Sequence, residues 1–382
     1  MKKLLLITIV TLTINANAQW TQTTCPVAEA VCISTNDTSF FAATGYGGGF
    51  YATQDSGQTW AAPFTFPTGQ YIVAVFNSDS YLYMGGSVGN YRSADGGNTW
   101  NQMPTLVEET YSYMKFGSYI FAGTYGGGVY RSSDSGNTWS VYNNGLFNSY
   151  AVALSHDGSS IYAATGNGLF KSTNMGGNWL DVTLSVGSPL FDAVTFDGTY
   201  IIVGGPYCGV FRSSDGGSTW VAANSGLTTT DIRALYTVGE TIFLGSASGS
   251  YYSIDHGATW VDYNSGFTGI YYIESYCAIG STLLCGAISH GIWKRELVGG
   301  LGIHEISESA LMIYPNPSNG EFTISLPTDN AEIRITDILG QQILKTQATQ
   351  KTTELRLDNN GVYIVYVSTK QGTAKRKLVV NR

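Results

Sequence analysis

Charge is scarce in this chain: Asp, Glu, Lys and Arg make up 12% of its 382 residues, about half the usual share for a soluble domain. What charge there is leans one way. Between Gln19 and Gly302 there are 19 acidic residues against 8 basic ones, a net charge of −11, which makes nucleic acid and acidic membranes poor partners. Histidine is limited to His156, His256, His290 and His304, with no metal-ligand spacing among them. No phosphate-binding glycine loop opens a helix, and there is no nucleophile elbow. Neither a metal nor a cofactor is therefore expected. The five cysteines, Cys25, Cys32, Cys208, Cys277 and Cys285, are odd in number and lack ligand spacing, so at least one thiol stays free or pairs between chains. Small buried core residues are the plain reading, and one disulfide where the first and last repeats meet is the alternative for an exported chain.

Long apolar runs are also missing, with one exception. Residues 1–18 carry Lys2 and Lys3, the run Leu4 to Ile14, and Ala16-Asn17-Ala18, the pattern of a signal peptide cleaved before Gln19. No later stretch approaches the roughly 20 apolar residues that a membrane-spanning helix needs. What the chain has in quantity is glycine, 47 residues, and tyrosine, 26, and these are arranged in a repeat.

A polar phrase ending in tryptophan returns about every forty residues. Its six copies run from Thr53, Ser93, Ser132, Ser172, Ser213 and Ser253 to Trp60, Trp100, Trp139, Trp179, Trp220 and Trp260, with Asp55, Asp95, Asp134, Asn174, Asp215 and Asp255 in the middle. Such a period marks a repeat architecture. The aspartate side chain can accept hydrogen bonds from amides two residues on, glycine supplies a positive φ, and tryptophan gives a large plate to bury. These residues therefore read as structural fasteners, and Asn174 can cap the same turn without charge. Around each copy lie four short β-rich segments, as in Tyr113–Phe116, Tyr119–Ala122, Val129–Ser132 and Trp139–Tyr142, which make one antiparallel blade. Third-strand segments number seven, from Gly49-Phe-Tyr51 to Gly291-Ile-Trp293. The last lacks a fourth strand, whereas Gln19-Trp20-Thr21-Gln22 lies forty residues before Trp60. The expectation is all-β: a seven-bladed propeller over 19–298, with the N-terminal strand closing blade 7 and removing the exposed edges.

These hairpins resemble the Asp-box (BNR) repeats of sialidases, xyloglucan-degrading glucanases, sortilin-type receptors and a photosystem II assembly factor family, a likeness that implies the fold and not the function. After a linker at 299–310, the segments Ile313-Tyr-Pro315-Asn316-Pro317, Ile333–Gly340, Gly361–Val367 and Lys375–Val380 resemble the type A sorting domain of type IX secretion, over 311–382. That resemblance implies a small β-sandwich recognised at the outer membrane of a Gram-negative bacterium and cut off by a sortase-like peptidase. The protein would then be secreted or held at the cell surface.

Antiparallel blades place the first-to-second turns and the aspartate hairpins on one rim, and the second-to-third and blade-to-blade loops on the other. A ligand site is expected on the latter. There the second-to-third loops carry Tyr46, Tyr125, Tyr207 and His290, and the blade-to-blade loops add Phe64, Phe66, Tyr71, Tyr111, Phe147, Tyr150, Phe267, Tyr271 and Tyr272. Flat rings on such loops suit stacking on sugars or peptide side chains, and about half of them are expected to pack between blades. Glu29, Asp192 and Glu274 align two residues before the apolar core of their first strands, level with Tyr150, while Asp231 and Arg233 bracket that place in blade 6. A carboxylate cluster at one side of the channel mouth follows. The sialidase resemblance would require three clustered arginines, and only Arg233 is left at this rim. Three readings stand: a binding propeller for a carbohydrate or other extracellular polymer, a glycoside hydrolase using two of Glu29, Asp192, Asp231 and Glu274, and a scaffold that contacts another protein.

Overall fold

The computed structural model describes residues 19–26, 30–36, 38–44, 49–65, 71–78, 81–87, 89–183, 190–269, 271–297, 312–326, 331–337, 342–369 and 372–381. The expected signal peptide, the linker at 299–310, Glu29, Tyr46 and Phe66 lie outside the described residues. Seven four-stranded antiparallel sheets follow one another along residues 21–296. Blades 1 to 6 occupy 30–65, 72–102, 109–141, 151–181, 193–222 and 232–262, each with its strands in chain order. Blade 7 is composite. Its three inner strands are Ile273–Ile279, Thr282–Ala287 and Gly291–Glu296, and Thr21–Gln22 pairs on the outside, Gln22 opposite Trp293.

Trp20 shows why this closure holds. Its ring is 2% exposed and stacks on Phe267 at 5.3 Å. Its Nε1 donates to the Tyr263 carbonyl, as Trp179 donates to Tyr142 and Trp260 to Ala223 in the preceding blades. The N-terminal tryptophan thus takes the place of the box tryptophan that blade 7 lacks. First strands of successive blades touch all the way round, and Ile273–Ile279 meets Ala30–Thr35, so the seven line one closed channel.

Burial follows position within the blade. Second strands such as Ile161–Thr165 and Thr282–Ala287 are buried throughout, because each is covered on both faces by neighbouring blades. The two-residue fourth strands are exposed, as Leu180–Asp181 is. Blades must narrow toward the axis, and their second strands carry very small residues where they do so. A Cβ on Gly245 would come within 2.4 Å of the Ile273 carbonyl oxygen of the next blade, and one on Gly123 within 2.6 Å of that of Ala151.

Five boxes are closed by the same bonds, and the fourth, with Asn174 and Asn178, lacks only the threonine hydroxyl's bond. In blade 2 the Asp95 carboxylate accepts from the Thr99 amide and hydroxyl and from the Ser93 hydroxyl, which itself accepts from the Gly97 amide. The box tips also join blade to blade. Arg92 donates to the Ser135 carbonyl, Arg131 to Met175, Lys171 to Gly216 and Arg212 to Asp255 and His256, so in blades 2 to 5 a cation on the third strand holds the next blade's hairpin. The box is a fastener within the blade, as expected, and a latch between blades as well.

Two further sheets follow the propeller. One comprises Met312–Tyr314, Glu321–Ser325 and Thr352–Arg356, the other Gln342–Ala348, Ala331–Asp337, Gly361–Thr369 and Gly372–Val380. Phe322, Ile324, Ile333, Ile335, Val365, Val367 and Leu378 form one buried cluster, a core to which both sheets contribute. Cys32, Cys208, Cys277 and Cys285 form no disulfide. Cys32, Cys277 and Cys285 are buried core residues, and burial pushes the Cys32 thiol up to about 12.

Candidate functional site at the channel mouth

The first strands carry a shared irregularity that builds the mouth. In blades 1, 2, 3, 4, 6 and 7 the pairing with the second strand slips by one residue near its start. The residue left over is 31, Val73, Tyr111, Val152, Arg233 and Glu274 in turn. A bulged residue is unpaired and its side chain is re-aimed. Asp192 precedes the matching pair, Ala193 with Gly204, and its amide donates to the Gly204 carbonyl, so it completes the tier in blade 5. Val73, Tyr111, Val152, Asp192, Arg233 and Glu274 all line one central channel of about 320 Å³.

Two residues nearer the rim lies a second tier: Tyr71, Glu109, Tyr150, Leu190, Asp231 and Tyr272. The carbonyls of Tyr71, Tyr150, Asp231 and Tyr272 accept alike from the amide just past the second strand, of Ser87, Gly166, Ala247 and Ile288. This pattern corrects the sequence alignment. Asp192 and Glu274 are level with Arg233 at the bulge, whereas Tyr150 stands two residues higher, level with Asp231. An apolar core cannot reveal this slip, because the bulge adds a residue without altering the run that follows.

The two tiers divide the mouth into two arcs. Over blades 2 to 4 it is aromatic. The Tyr71 hydroxyl donates to Glu109 at 3.1 Å, Tyr111 stacks on Tyr125 at 5.5 Å, and Tyr125 meets Tyr150 edge-on at 4.5 Å. Tyr125 and Tyr150 remain 51% and 41% exposed. Burial, with the neighbouring Tyr71, Glu109 and Tyr125, raises the Tyr111 hydroxyl to about 12, so Tyr111 is a neutral donor at physiological pH. Glu109 was missed in the sequence, where nothing separates it from the adjacent Glu108.

Over blades 5 to 7 the mouth is ionic. The Arg233 guanidinium donates from a terminal nitrogen to Asp231 Oδ2 at 3.0 Å, and its Nε lies 2.7 Å from Oδ1 as an ion-pair contact outside hydrogen-bond geometry. Its other terminal nitrogen is 3.7 Å from Asp192. Those two carboxylates therefore lie within about 9 Å of each other across one planar guanidinium, within the span glycosidases use. Burial is the largest influence on Glu274 and raises its carboxyl above the usual range, with Arg233 opposing and Asp192 and Asp231 reinforcing. Burial likewise raises Asp192 against the pull of Arg233.

The remaining candidates stand apart from this arrangement. Tyr207 is 86% exposed on a left-handed turn residue of blade 5. His290 holds the corner of the closing blade: its Nδ1 lies 2.8 Å from the Ile288 carbonyl, its carbonyl accepts from Trp293 and Gln22, and its ring meets Tyr271 edge-on. Tyr271 is buried and Phe267 packs against Trp293, so these two rings serve the core, whereas Phe147, 82% exposed, faces solvent. Among the described residues no His, Cys, Asp and Glu come together as a metal site.

Comparison with known proteins bears on the two parts differently. Residues 312–381 match the secretion system C-terminal sorting domain. A stretch of 95 residues is 32% identical to an endo-acting ulvan lyase of Formosa agariphila, covering 23% of this chain and 18% of that protein. The extracellular domain of BT4673 from B. thetaiotaomicron is similar in fold, with a TM-score of 0.64 at 15% identity over 94% of this chain and 54% of that one. YCF48 bound to a D1 peptide matches with a TM-score of 0.60 at 17% identity, over 73% and 96%. A virginiamycin B lyase from Staphylococcus aureus gives 0.61 at 11% identity, over 74% and 100%. No helix among the described residues is long and apolar enough to cross a membrane. The chain is thus a seven-bladed propeller that carries a type IX secretion sorting domain at its C-terminal end, which makes it a secreted or outer-membrane-surface protein served by that machinery.

Proposed function

We propose that this protein binds an extracellular carbohydrate polymer at the channel mouth, with the sorting domain serving export. The observation that carries this reading is the arc Tyr71, Tyr111, Tyr125 and Tyr150, the last three joined by ring contacts across blades 3 and 4, Tyr71 of blade 2 bonded to Glu109 beside them, and the arc left half open at Tyr125 and Tyr150. Ring faces of this kind stack on the apolar faces of sugars, and tyrosine hydroxyls exchange hydrogen bonds with sugar oxygens. The test is retention of the secreted protein on a panel of immobilised polysaccharides. Replacing Tyr125 and Tyr150 together by Ala should abolish retention without moving the unfolding midpoint. Unchanged retention would overturn the site.

A second reading, glycoside hydrolysis, draws on the carboxyls gathered at Arg233. Burial holds Glu274 above the usual range, as a general acid requires. Against it, Arg233 engages both Asp231 and Asp192 and leaves neither free to attack. Release of reducing ends from a retained polysaccharide, lost on Glu274→Gln, would favour this reading over plain binding.

A further inference from the structure

Arg233 is the one cation among the described residues that line the channel. Arg92, Arg131, Lys171 and Arg212 are committed to box tips on the opposite rim. Arg295 donates to the Tyr263 carbonyl, and Lys115 pairs with Ile120 beside a first-to-second turn. An arginine at a sugar-binding mouth ordinarily offers its guanidinium to carboxylate or sulfate. Here that charge is already engaged: Asp231 accepts a hydrogen bond from one of its nitrogens and lies 2.7 Å from a second, and Asp192 faces the third at 3.7 Å. Glu274 is close enough for its charge to act on the same group. Three carboxylates against one guanidinium leave the ionic arc with a negative balance when all are ionised. Across the mouth, the charged neighbour of the aromatic arc is Glu109, again an acid.

We propose that this caged arginine makes the mouth selective for an uncharged polysaccharide, turning away chains that carry carboxylate or sulfate groups. The inference rests on the carbohydrate-binding reading above and names the class of chain it admits. A sugar lying on the tyrosine arc and reaching the channel sets its substituents beside Asp192 and Asp231, and an anionic substituent there meets like charge in a half-buried setting where water screens poorly. Neutral hydroxyls meet acceptors instead. Asp192 and Asp231 thereby determine specificity by occupying Arg233.

The experiment compares oligosaccharides of equal length, one neutral, one uronate-bearing and one sulfated, on the full secreted protein and on Asp192→Asn and Glu274→Gln. The neutral chain should bind the wild type at least about tenfold more tightly than either anionic chain at low ionic strength, and Asp192→Asn should narrow that gap by about tenfold, because it frees one side of the guanidinium and removes a like charge. Glu274→Gln should narrow it less. Raising salt from ~10 mM to ~150 mM shortens the screening length from about 30 Å to about 8 Å, so it should improve binding of the anionic chains to the wild type. This arm decides the matter if a variant fails to fold. Equal binding of neutral and anionic chains by the wild type, indifferent to salt, would overturn the selectivity and leave carbohydrate binding standing. Retention of no oligosaccharide of any kind would overturn the binding reading and the selectivity with it.

Discussion

The two rims of this propeller use the same strands to opposite ends. On the box rim six hairpins repeat nearly one set of bonds, with Ser or Thr, Asp or Asn, and a tryptophan in equivalent places, and third-strand cations lock the hairpins of blades 3 to 6 to the preceding blade. On the mouth rim the backbone is equally regular, since the bulge recurs from blade to blade, yet the side chains it presents are Val73, Tyr111, Val152, Asp192, Arg233 and Glu274. Regular backbone with repeated side chains builds the ring. Regular backbone with side chains that change from blade to blade around most of the ring gives a surface that can recognise something.

If that division is right, damage to the two rims should separate cleanly in solution. The largest loss should follow Trp20→Ala, which empties a buried site and removes the bond to Tyr263; about 3–5 kcal/mol is expected, read by urea unfolding, while the Tyr125 and Tyr150 variants leave that curve in place. Arg131→Ala comes next. It removes the bond to the Met175 carbonyl and the contacts with the rings of Tyr119 and Tyr142, at about 2–3 kcal/mol, with polysaccharide retention unchanged in the folded fraction.

Acid distinguishes the rims by sign. Hydrogen bonds from the Thr99 hydroxyl and amide, then from Ser93, lower Asp95 to about 2, and those from Thr219 and Ser213 do the same for Asp215. Depressed carboxyls lend stability that is present above their unfolded pKa of about 4 and is lost as pH falls through about 2. The melting temperature should therefore fall between pH 4 and 2, and Asp95→Asn, which keeps one acceptor as Asn174 does, should flatten that fall. The smallest effect belongs to the mouth and runs the other way. Glu274 is raised by burial, so its contribution is present below its unfolded pKa of about 4.3 and is lost as pH rises through the folded value. Glu274→Gln should leave the protein as stable or slightly more stable at pH 7. A clear loss of melting temperature would show that the mouth carries structural weight too.

Much of this molecule is legible in its sequence because a forty-residue period is a local signal. Each box encodes its own turn through an aspartate, a glycine and a tryptophan within eight residues, and six such copies, with Trp20 forty residues before Trp60, specify the blade count and the strand exchange at closure. The tail is legible for the same reason, its segments matching a sorting domain in order. The mouth is legible only in part. Its residue types could be collected from the loops, and Asp192, Asp231, Arg233 and Glu274 do come together. Their levels could not be read, because one unpaired residue in the first strand shifts the register without changing composition.

The sequence by itself determined the seven-bladed ring, its closure by the N-terminal strand and the sorting domain, since local turn chemistry and buried plates are written residue by residue. Only the tertiary structure decided which side chains share a level at the mouth, that Tyr71, Tyr111, Tyr125 and Tyr150 form one arc, and that Arg233 is enclosed by Asp231 and Asp192. The contacts that complete them, Asp192 with Arg233 and Tyr125 with Tyr150, run between neighbouring blades, and they arise where seven first strands converge on one axis.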